Sequence, residues 1–260
     1  HPPAAAFEQR AGEHLLEIQA ELQSQTYRPG AYANFYVHDP KRRLISAAPF
    51  RDRVVHHALC NIIEPIFERR FIHDSYANRR DKGTHAALDR SQELARRHRY
   101  VLQCDVAQFF PAIDHACLLA AIARVVVDPD VLGLCTTILA SGENVLAGEY
   151  NLHYFPGDDL FAALRPRGLP IGNLTSQFWA NVYLDRLDHF VKRELKCPAY
   201  VRYVDDFLLF ADDKPTLWAW RRAVIDFMTG LRLTLHEARC HPQPVTEGIP
   251  FLGFVVYPDH

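Results

Sequence analysis

The first hundred residues carry apolar positions spaced three and four apart, the pattern of helices that bury one face. This spacing predicts helices over residues 7–23, 52–71 and 84–98. Pro65 should break or kink the second helix, and Thr84 should cap the third. Residues 34–46 alternate between apolar and polar side chains, which predicts a hairpin with Asp39-Pro40 at its tip.

After residue 99 the apolar residues gather into short runs that are typical of strands. Tyr100–Cys104 predicts a buried strand with Asp105 at its end, and 199–210 predicts a hairpin that turns at 204–206. Further strands are predicted near 231–236 and 250–257, and helices over 115–126, 129–141, 173–195 and 215–230. Residues 142–168 predict an irregular segment. This order predicts an α+β fold whose antiparallel sheet carries the acidic residues.

Composition allows one large domain or two interleaved ones, since 48% of the 260 residues are hydrophobic. The formal net charge of −2 argues against strong nucleic-acid binding by the chain as a whole. Residues 41–99, however, hold 14 Lys and Arg against 7 Asp and Glu. Either a basic face or a set of solvated helices is expected in that stretch.

The six cysteines form no Cys-x-x-Cys pair, which indicates a reduced, cytoplasmic compartment. His236, Cys240 and His241 are too small a basis for a zinc site. We expect no membrane association, because no apolar run is long enough to span a bilayer and no signal peptide is evident. The chain begins with His1 rather than methionine, so we expect a fragment of a longer protein.

Three aspartates are the strongest chemical signal. Asp205 and Asp206 are adjacent and lie between apolar runs, where their repulsion needs a compensating cation such as Mg²⁺. An ordinary exposed turn is the alternative for this pair alone, and a helix cap is the alternative for Asp105. Carboxylates at the ends of adjacent strands can together hold two cations roughly 3.5–4 Å apart, the arrangement that serves phosphoryl displacement.

The segments around these aspartates resemble the reverse transcriptase family, and the resemblance extends over nearly the whole chain. Leu102–Asp114 is similar to the first catalytic block of that family, and Tyr203–Asp206 to its Tyr-x-Asp-Asp box. The resemblance implies a right-hand polymerase fold with fingers and palm and an antiparallel palm sheet backed by helices. A helical thumb normally follows in that family, and we expect it to be absent here because the sequence stops at His260. Its predicted divisions are fingers 1–99, palm 100–128, a fingers and palm excursion 129–168, and palm 169–260.

The same resemblance implies an enzyme, an RNA-directed DNA polymerase that uses two Mg²⁺ ions or Mn²⁺ in their place. Its catalytic residues would be Asp105, Asp205 and Asp206, and Val106 would join them as a metal ligand. Phe110, five residues after the first aspartate, would stack under the sugar and reject a 2′-hydroxyl. DNA synthesis is therefore implied; an ordinary core phenylalanine is the alternative for Phe110.

Two basic segments, 43–57 and 75–85, resemble the first two fingers blocks of the family. Arg79 would bind the incoming triphosphate with help from Lys82 and Arg43, because guanidinium and ammonium groups pair with phosphate oxygens. Salt bridges with nearby aspartates are the alternative for these three residues. The residues predicted to contact template or primer are Arg51, Arg53, Gln177, Tyr203, Leu252 and Gly253.

The segment before the predicted helix 173–195 departs from most reverse transcriptases, which carry Pro-Gln-Gly and later Ser-Pro. Ile171 replaces the glutamine and Gln177 the proline, a departure that resembles the enzymes of diversity-generating retroelements. Ile171 and Gly172 would lie against the nucleotide, where an apolar side chain relaxes base selection, and Asn173 would cap the helix. The expected partners are an RNA template, a DNA or RNA primer, dNTPs and a small basic helical accessory protein.

Two other functions stay open. An intron-type or antiviral-defence reverse transcriptase would use the same chemistry for another purpose. A nucleic-acid-binding subunit with the polymerase fold and little activity of its own would fit the low net charge and the expected lack of a thumb. Three intact aspartates argue against that subunit, because a pure binder gains nothing from clustered negative charge.

Overall fold

The computed structural model describes residues 2–38 and 42–259. The elements of the first hundred residues are α1 (Pro2–Gln9), α2 (Ala11–Gln23), β1 (Ala33–Val37), β2 (Arg43–Ala47), α3 (Phe50–Glu68) and α4 (Thr84–Arg97). Those that follow are β3 (Tyr100–Asp105), α5 (Phe109–Ala112), α6 (His115–Ala123), α7 (Pro129–Ser141), α8 (Leu174–His189), β4 (Tyr200–Tyr203), β5 (Asp206–Ala211), α9 (Lys214–Gly230), β6 (Pro242–Pro244), β7 (Ile249–Phe251) and β8 (Phe254–Val256). The predicted α+β class is confirmed.

The N-terminal helices lie where the apolar spacing predicts them, but their breaks and caps differ. The first predicted helix is interrupted at Arg10, between α1 and α2. The predicted break at Pro65 is wrong, because α3 continues through it and ends three residues later. Pro65 has no amide hydrogen, so one main-chain hydrogen bond near the end of the helix is missing. Thr84 is not the cap of α4, since Gly83 occupies that position and the Thr84 hydroxyl lies 3.1 Å from the Tyr203 hydroxyl.

Strands β1 and β2 form the predicted antiparallel hairpin, with Val37 opposite Arg43. The predicted tip at Asp39-Pro40 lies outside the described residues. The hairpin is joined to the later part of the chain by a hydrogen bond from the Ser46 amide to the Ile171 carbonyl, 2.8 Å long. It therefore lies beside the segment that precedes α8.

A four-stranded antiparallel sheet in the order β4-β5-β3-β6 positions the acidic residues. One face packs against α6, α8 and α9 in the larger hydrophobic core, and the other packs against α4 and the β7–β8 hairpin. Both faces are covered because successive residues of β3 and β5 point to opposite sides and nearly all are apolar. The antiparallel sheet backed by helices is present as predicted.

Near the C-terminus one strand prediction is wrong, one strand was missed, and the segment predicted at 250–257 forms β7 and β8. Residues 231–236 form no regular strand, because Arg232 has a positive φ of 55° and turns the chain; only an isolated bridge joins Leu235 to Val106. Strand β6 was missed because its two prolines disfavour strands, although they are tolerated at the edge position that β6 occupies. In the described ranges, no helix is both long and apolar enough to cross a lipid bilayer.

Candidate active site

The central sheet brings two of the three predicted aspartates face to face. Asp105 ends β3, Asp206 begins β5, and the two residues are direct partners in the antiparallel register. Such partners have Cα atoms about 4.5–5.5 Å apart. Asp205 lies in the turn between β4 and β5, where its carbonyl accepts a hydrogen bond of 3.2 Å from the Val106 amide. The two strand ends and this turn therefore share one edge of the sheet.

Carboxylate oxygens make this edge of the sheet suitable for binding a divalent metal ion. Opposed carboxylates repel each other, and hard oxygen ligands suit Mg²⁺. Over residues 2–38 and 42–259, however, no three His, Cys, Asp or Glu side chains are grouped as a metal site. The opposed pair Asp105 and Asp206 is thus the part of the predicted ligand set that the fold assembles, with Asp205 next in the chain.

Gln103, which the sequence analysis did not single out, contacts this pair. Its side-chain amide donates to the two carboxylate oxygens of Asp206 at 3.3 and 3.4 Å and to the Pro250 carbonyl at 2.7 Å. Gln103 therefore links this edge of the sheet to strand β7. A cavity of about 450 Å³ is lined by Asp105 and residues 235–239.

The turn that carries Asp205 has an uncommon backbone. Val204 adopts a positive φ of 53°, which is unfavourable for a β-branched residue. Its carbonyl accepts a hydrogen bond of 2.9 Å from Arg202, whose side chain is fully buried and also pairs with Asp188. A charged residue inside the apolar strand β4 was the sequence signal for this contact, and it was overlooked.

The predicted triphosphate ligands are already engaged by protein groups. Arg79 forms an ion pair of 2.7 Å with Glu68 and donates to the Ile72 and Ser75 carbonyls, and its side chain is only 5% exposed. Lys82 donates to the His73 carbonyl at 2.9 Å, and burial lowers its pKa. The alternative considered for Arg79, a salt bridge rather than a triphosphate contact, is therefore what the structure shows. The partner is Glu68 and not one of the nearby aspartates.

Arg43, the third predicted triphosphate ligand, lies on a different element. It is exposed on β2, at the end of the register opposite Val37. Among the described residues no hydrogen bond or ion pair involves its side chain.

Phe110 is joined to the segment before α8 by a main-chain hydrogen bond. The ring of Phe110 is half-buried and packs edge-on against the buried Phe109, with centroids 5.4 Å apart. The Phe110 carbonyl accepts from the Leu169 amide at 2.9 Å. Gly172 has φ +110°, and a Cβ there would come within 2.9 Å of Ile45, so this close approach favours glycine.

Asn173 does not cap α8 with its side chain, contrary to the prediction. The side-chain oxygen of Asn173 instead accepts a hydrogen bond of 3.1 Å from the Ala48 main-chain amide. Its side-chain nitrogen donates to the carbonyls of Ser46 and Pro170 at 2.9 and 3.0 Å. This buried side chain fastens the β1–β2 hairpin to the segment before α8. Sequence reasoning missed the role, because the partners in the hairpin segment, Ser46 and Ala48, lie more than a hundred residues away.

The predicted template and primer contacts are scattered over the surface. Arg51 forms an ion pair with Glu21, and Arg53 donates to the Ala48 carbonyl at 2.8 Å. Gln177 is exposed on the first turns of α8, and the Tyr203 hydroxyl lies beside Thr84. Leu252 and Gly253, both with positive φ, form the turn between β7 and β8.

Comparisons with known proteins agree with this arrangement. The family model described as reverse transcriptase (RNA-dependent DNA polymerase) matches residues 38–256. Protein YkfC of Escherichia coli (strain K12) is 26% identical over 287 residues, covering 94% of this chain and 71% of YkfC. The group II intron-encoded protein LtrA of Lactococcus lactis subsp. cremoris is 27% identical over 184 residues, covering 69% of this chain and 28% of LtrA.

Solved telomerases share the fold. The apo telomerase from Candida tropicalis has a TM-score of 0.57 at 11% identity, covering 96% of this chain and 52% of the telomerase chain. The chain thus spans about half of that telomerase and 28% of LtrA. The family model covers most of the chain, including both strands that carry the opposed aspartates. The chain therefore belongs to the reverse transcriptase (RNA-dependent DNA polymerase) family.

Proposed function

We propose that this domain extends the 3′ end of a DNA or RNA primer with dNTPs along an RNA template. The observation that carries the proposal is the pairing of Asp105 with Asp206 across β3 and β5, in a chain of this family. Like charges opposed at a strand edge repel each other, and bound cations would offset that repulsion. A domain that only bound nucleic acid would have no use for this pair.

The aspartates define the proposed chemistry. Asp105, Asp205 and Asp206, with the main-chain carbonyl of Val106, would hold two Mg²⁺ ions, or Mn²⁺ in their place. When bound, such ions lower the pKa of a primer 3′-hydroxyl and offset the charge of the triphosphate. Phe110 would lie under the sugar of the incoming nucleotide. Gln103 would keep the Asp206 carboxylate oriented, since its amide contacts both oxygens.

Primer extension tests the proposal. A labelled DNA primer on an RNA template with Mg²⁺ and dNTPs should be extended by the wild type. Asp205→Asn should lower the rate at least about a hundredfold while leaving the fold intact, because one charged ligand is lost where charge develops. Asp226→Asn, the same change at an exposed position on α9, is the matched control and should extend normally. Substantial activity in Asp205→Asn would reject the metal assignment.

A diversity-generating role is the finer proposal, and Ile171 and Gln177 support it. The opposing candidate is an intron-type enzyme, which the intron-encoded relative LtrA favours. Sequencing the extension products separates the two. Misincorporation concentrated opposite template adenines is expected for the diversity-generating role, and evenly distributed errors would favour the intron type. A small basic helical accessory protein, added in trans, is proposed to raise activity in the first case.

A further inference from the structure

A buried ion pair lies directly beneath the turn that carries Asp205. The Arg202 guanidinium donates to both Asp188 carboxylate oxygens at 2.7 Å, and both side chains are 0% exposed. A third bond, 3.1 Å long, goes to the Asn181 side-chain oxygen, and the Tyr200 hydroxyl donates to Asp188 at 2.8 Å. The remaining contact goes to the Val204 carbonyl at 2.9 Å.

Stability alone does not explain this pair. Removing two charges from water is costly, and apolar side chains of similar size often stabilise a core equally well. Asp188 raises the pKa of Arg202 above its usual range against the opposing effect of burial, so the pair stays charged. What an apolar pair could not supply is a donor for the Val204 carbonyl. That carbonyl belongs to a residue in the left-handed region, which a neighbouring contact must hold in place.

The main chain of Arg202 and the side chain of Asn181 also hold residues 74–77. The Arg202 amide donates to the Asp74 carbonyl at 2.9 Å, and the Arg202 carbonyl accepts from the Tyr76 amide at 2.9 Å. Asn181, which contacts the guanidinium, donates to the Ala77 carbonyl at 2.8 Å. The catalytic turn and residues 74–77 are therefore fastened to one buried residue.

We propose that Arg202 is a positioning residue, whose guanidinium sets Asp205 and Asp206 against Asp105 through the Val204 carbonyl, while its main chain holds residues 74–77 beside the same strand. This inference rests on the proposed polymerase function. Loss of the guanidinium should loosen the turn and weaken divalent-metal binding, while the remaining core keeps the domain folded. Asp188 and Asn181 act with Arg202, because they fix the orientation of its guanidinium.

The test replaces the pair without leaving a buried charge, as Arg202→Met with Asp188→Leu. We expect a folded protein by circular dichroism, faster hydrogen exchange at the amides of residues 204–206, and Mn²⁺ binding about tenfold weaker by electron paramagnetic resonance, the loss expected from one charge-assisted hydrogen bond. Arg193→Met, the same change at an exposed arginine, is the control and should alter neither readout. Arg202→Lys should recover part of the Mn²⁺ affinity, because an ammonium group can still donate to Asp188.

Unchanged exchange at residues 204–206 in the folded double variant would overturn the positioning role, whatever its activity. If the wild type bound no Mn²⁺ and extended no primer, the proposed function would fail. The exchange measurement would still decide whether Arg202 holds the turn. Failure of the inference is thus distinguishable from failure of the polymerase proposal.

Discussion

Phe110 is the residue on which the proposed choice between DNA and RNA depends. Its ring is half-buried, whereas the neighbouring Phe109 is 2% exposed and belongs to the core. Phe110→Ala should admit ribonucleotides and reduce the dNTP over rNTP preference by about tenfold or more, since a lost steric contact changes specificity by that order. The measurement is kcat/KM for dATP and ATP on the same primer and template.

Phe109→Leu is the matched control for that experiment. It removes volume from the core and should lower the stability of the domain, at a cost of about 1 kcal/mol or more. The preference for dNTPs should stay as in the wild type, because the Phe109 ring is buried. An unchanged preference in Phe110→Ala would assign Phe110 to the core instead.

At the residue scale, sequence predicted side chains whose position follows from strand pairing and missed those whose partners lie far along the chain. Asp105 and Asp206 close apolar strands, so their meeting follows once the strands pair. Arg79 was expected at the triphosphate because its residue type fits phosphate, but residue type does not reveal that Glu68, on another element, binds it. Arg202 belongs to the same class, since its partner Asp188 lies on α8.

At the element scale, apolar periodicity located most helices and the catalytic hairpin, but not segments fixed by isolated polar contacts. Residues 231–236 have an apolar alternation typical of a strand, yet Arg232 turns the chain there. Two isolated hydrogen bonds hold this backbone instead. One runs from the His236 amide to the Asp105 carbonyl, and the other runs from the Ala107 amide to the Thr234 carbonyl. Periodicity cannot indicate such contacts, because they involve main-chain atoms.

The irregular segment 142–168 is fastened to the sheet region by charge. Arg232 donates to both oxygens of Asp158 at 2.7 and 2.8 Å, and this contact lowers the pKa of Asp158. Asp158→Asn should release the segment, because a neutral amide cannot accept both donors with full charge. Limited proteolysis should then cut within 142–168 several times faster than in the wild type.

Asp159→Asn provides the control for that release. Asp159 caps the short 3₁₀ turn Leu160–Leu164 by accepting from the Phe161 amide at 2.9 Å, and asparagine caps equally well. Its cleavage rate should match the wild type. Equal cleavage of Asp158→Asn and wild type would mean that packing, not the ion pair with Arg232, holds the segment.

At the scale of the whole molecule, His56 and Asp185 should affect the pH dependence of stability in opposite directions. Burial lowers the pKa of His56 to about 4, and its Nε2 has no hydrogen-bond partner among the described residues. Burial, with the nearby Asp188, raises the pKa of Asp185 to about 6. In the unfolded chain the two groups titrate near about 6.5 and 3.9.

These shifts act against each other as the solution is acidified. The His56 contribution is complete above pH about 6.5 and is lost as the pH falls towards 4, because the unfolded chain takes up the proton first. Asp185 has the opposite sign: the fold takes up its proton near pH 6, so stability is gained as the pH falls from about 6 towards 4. Each effect is at most on the order of 3 kcal/mol.

Single variants should reveal the two slopes when each is compared with the wild type. Relative to the wild type, His56→Leu should gain stability on acidification, because the loss due to His56 is removed, whereas Asp185→Asn should lose stability, because the gain due to Asp185 is removed. Urea unfolding at pH 7, 5.5 and 4.5 gives the free energy of unfolding of each variant and of the wild type. The change in this free energy from its value at pH 7 is compared, so the destabilisation that each substitution causes at pH 7 does not affect the comparison. Parallel profiles for all three proteins would show that neither group changes its protonation differently on folding.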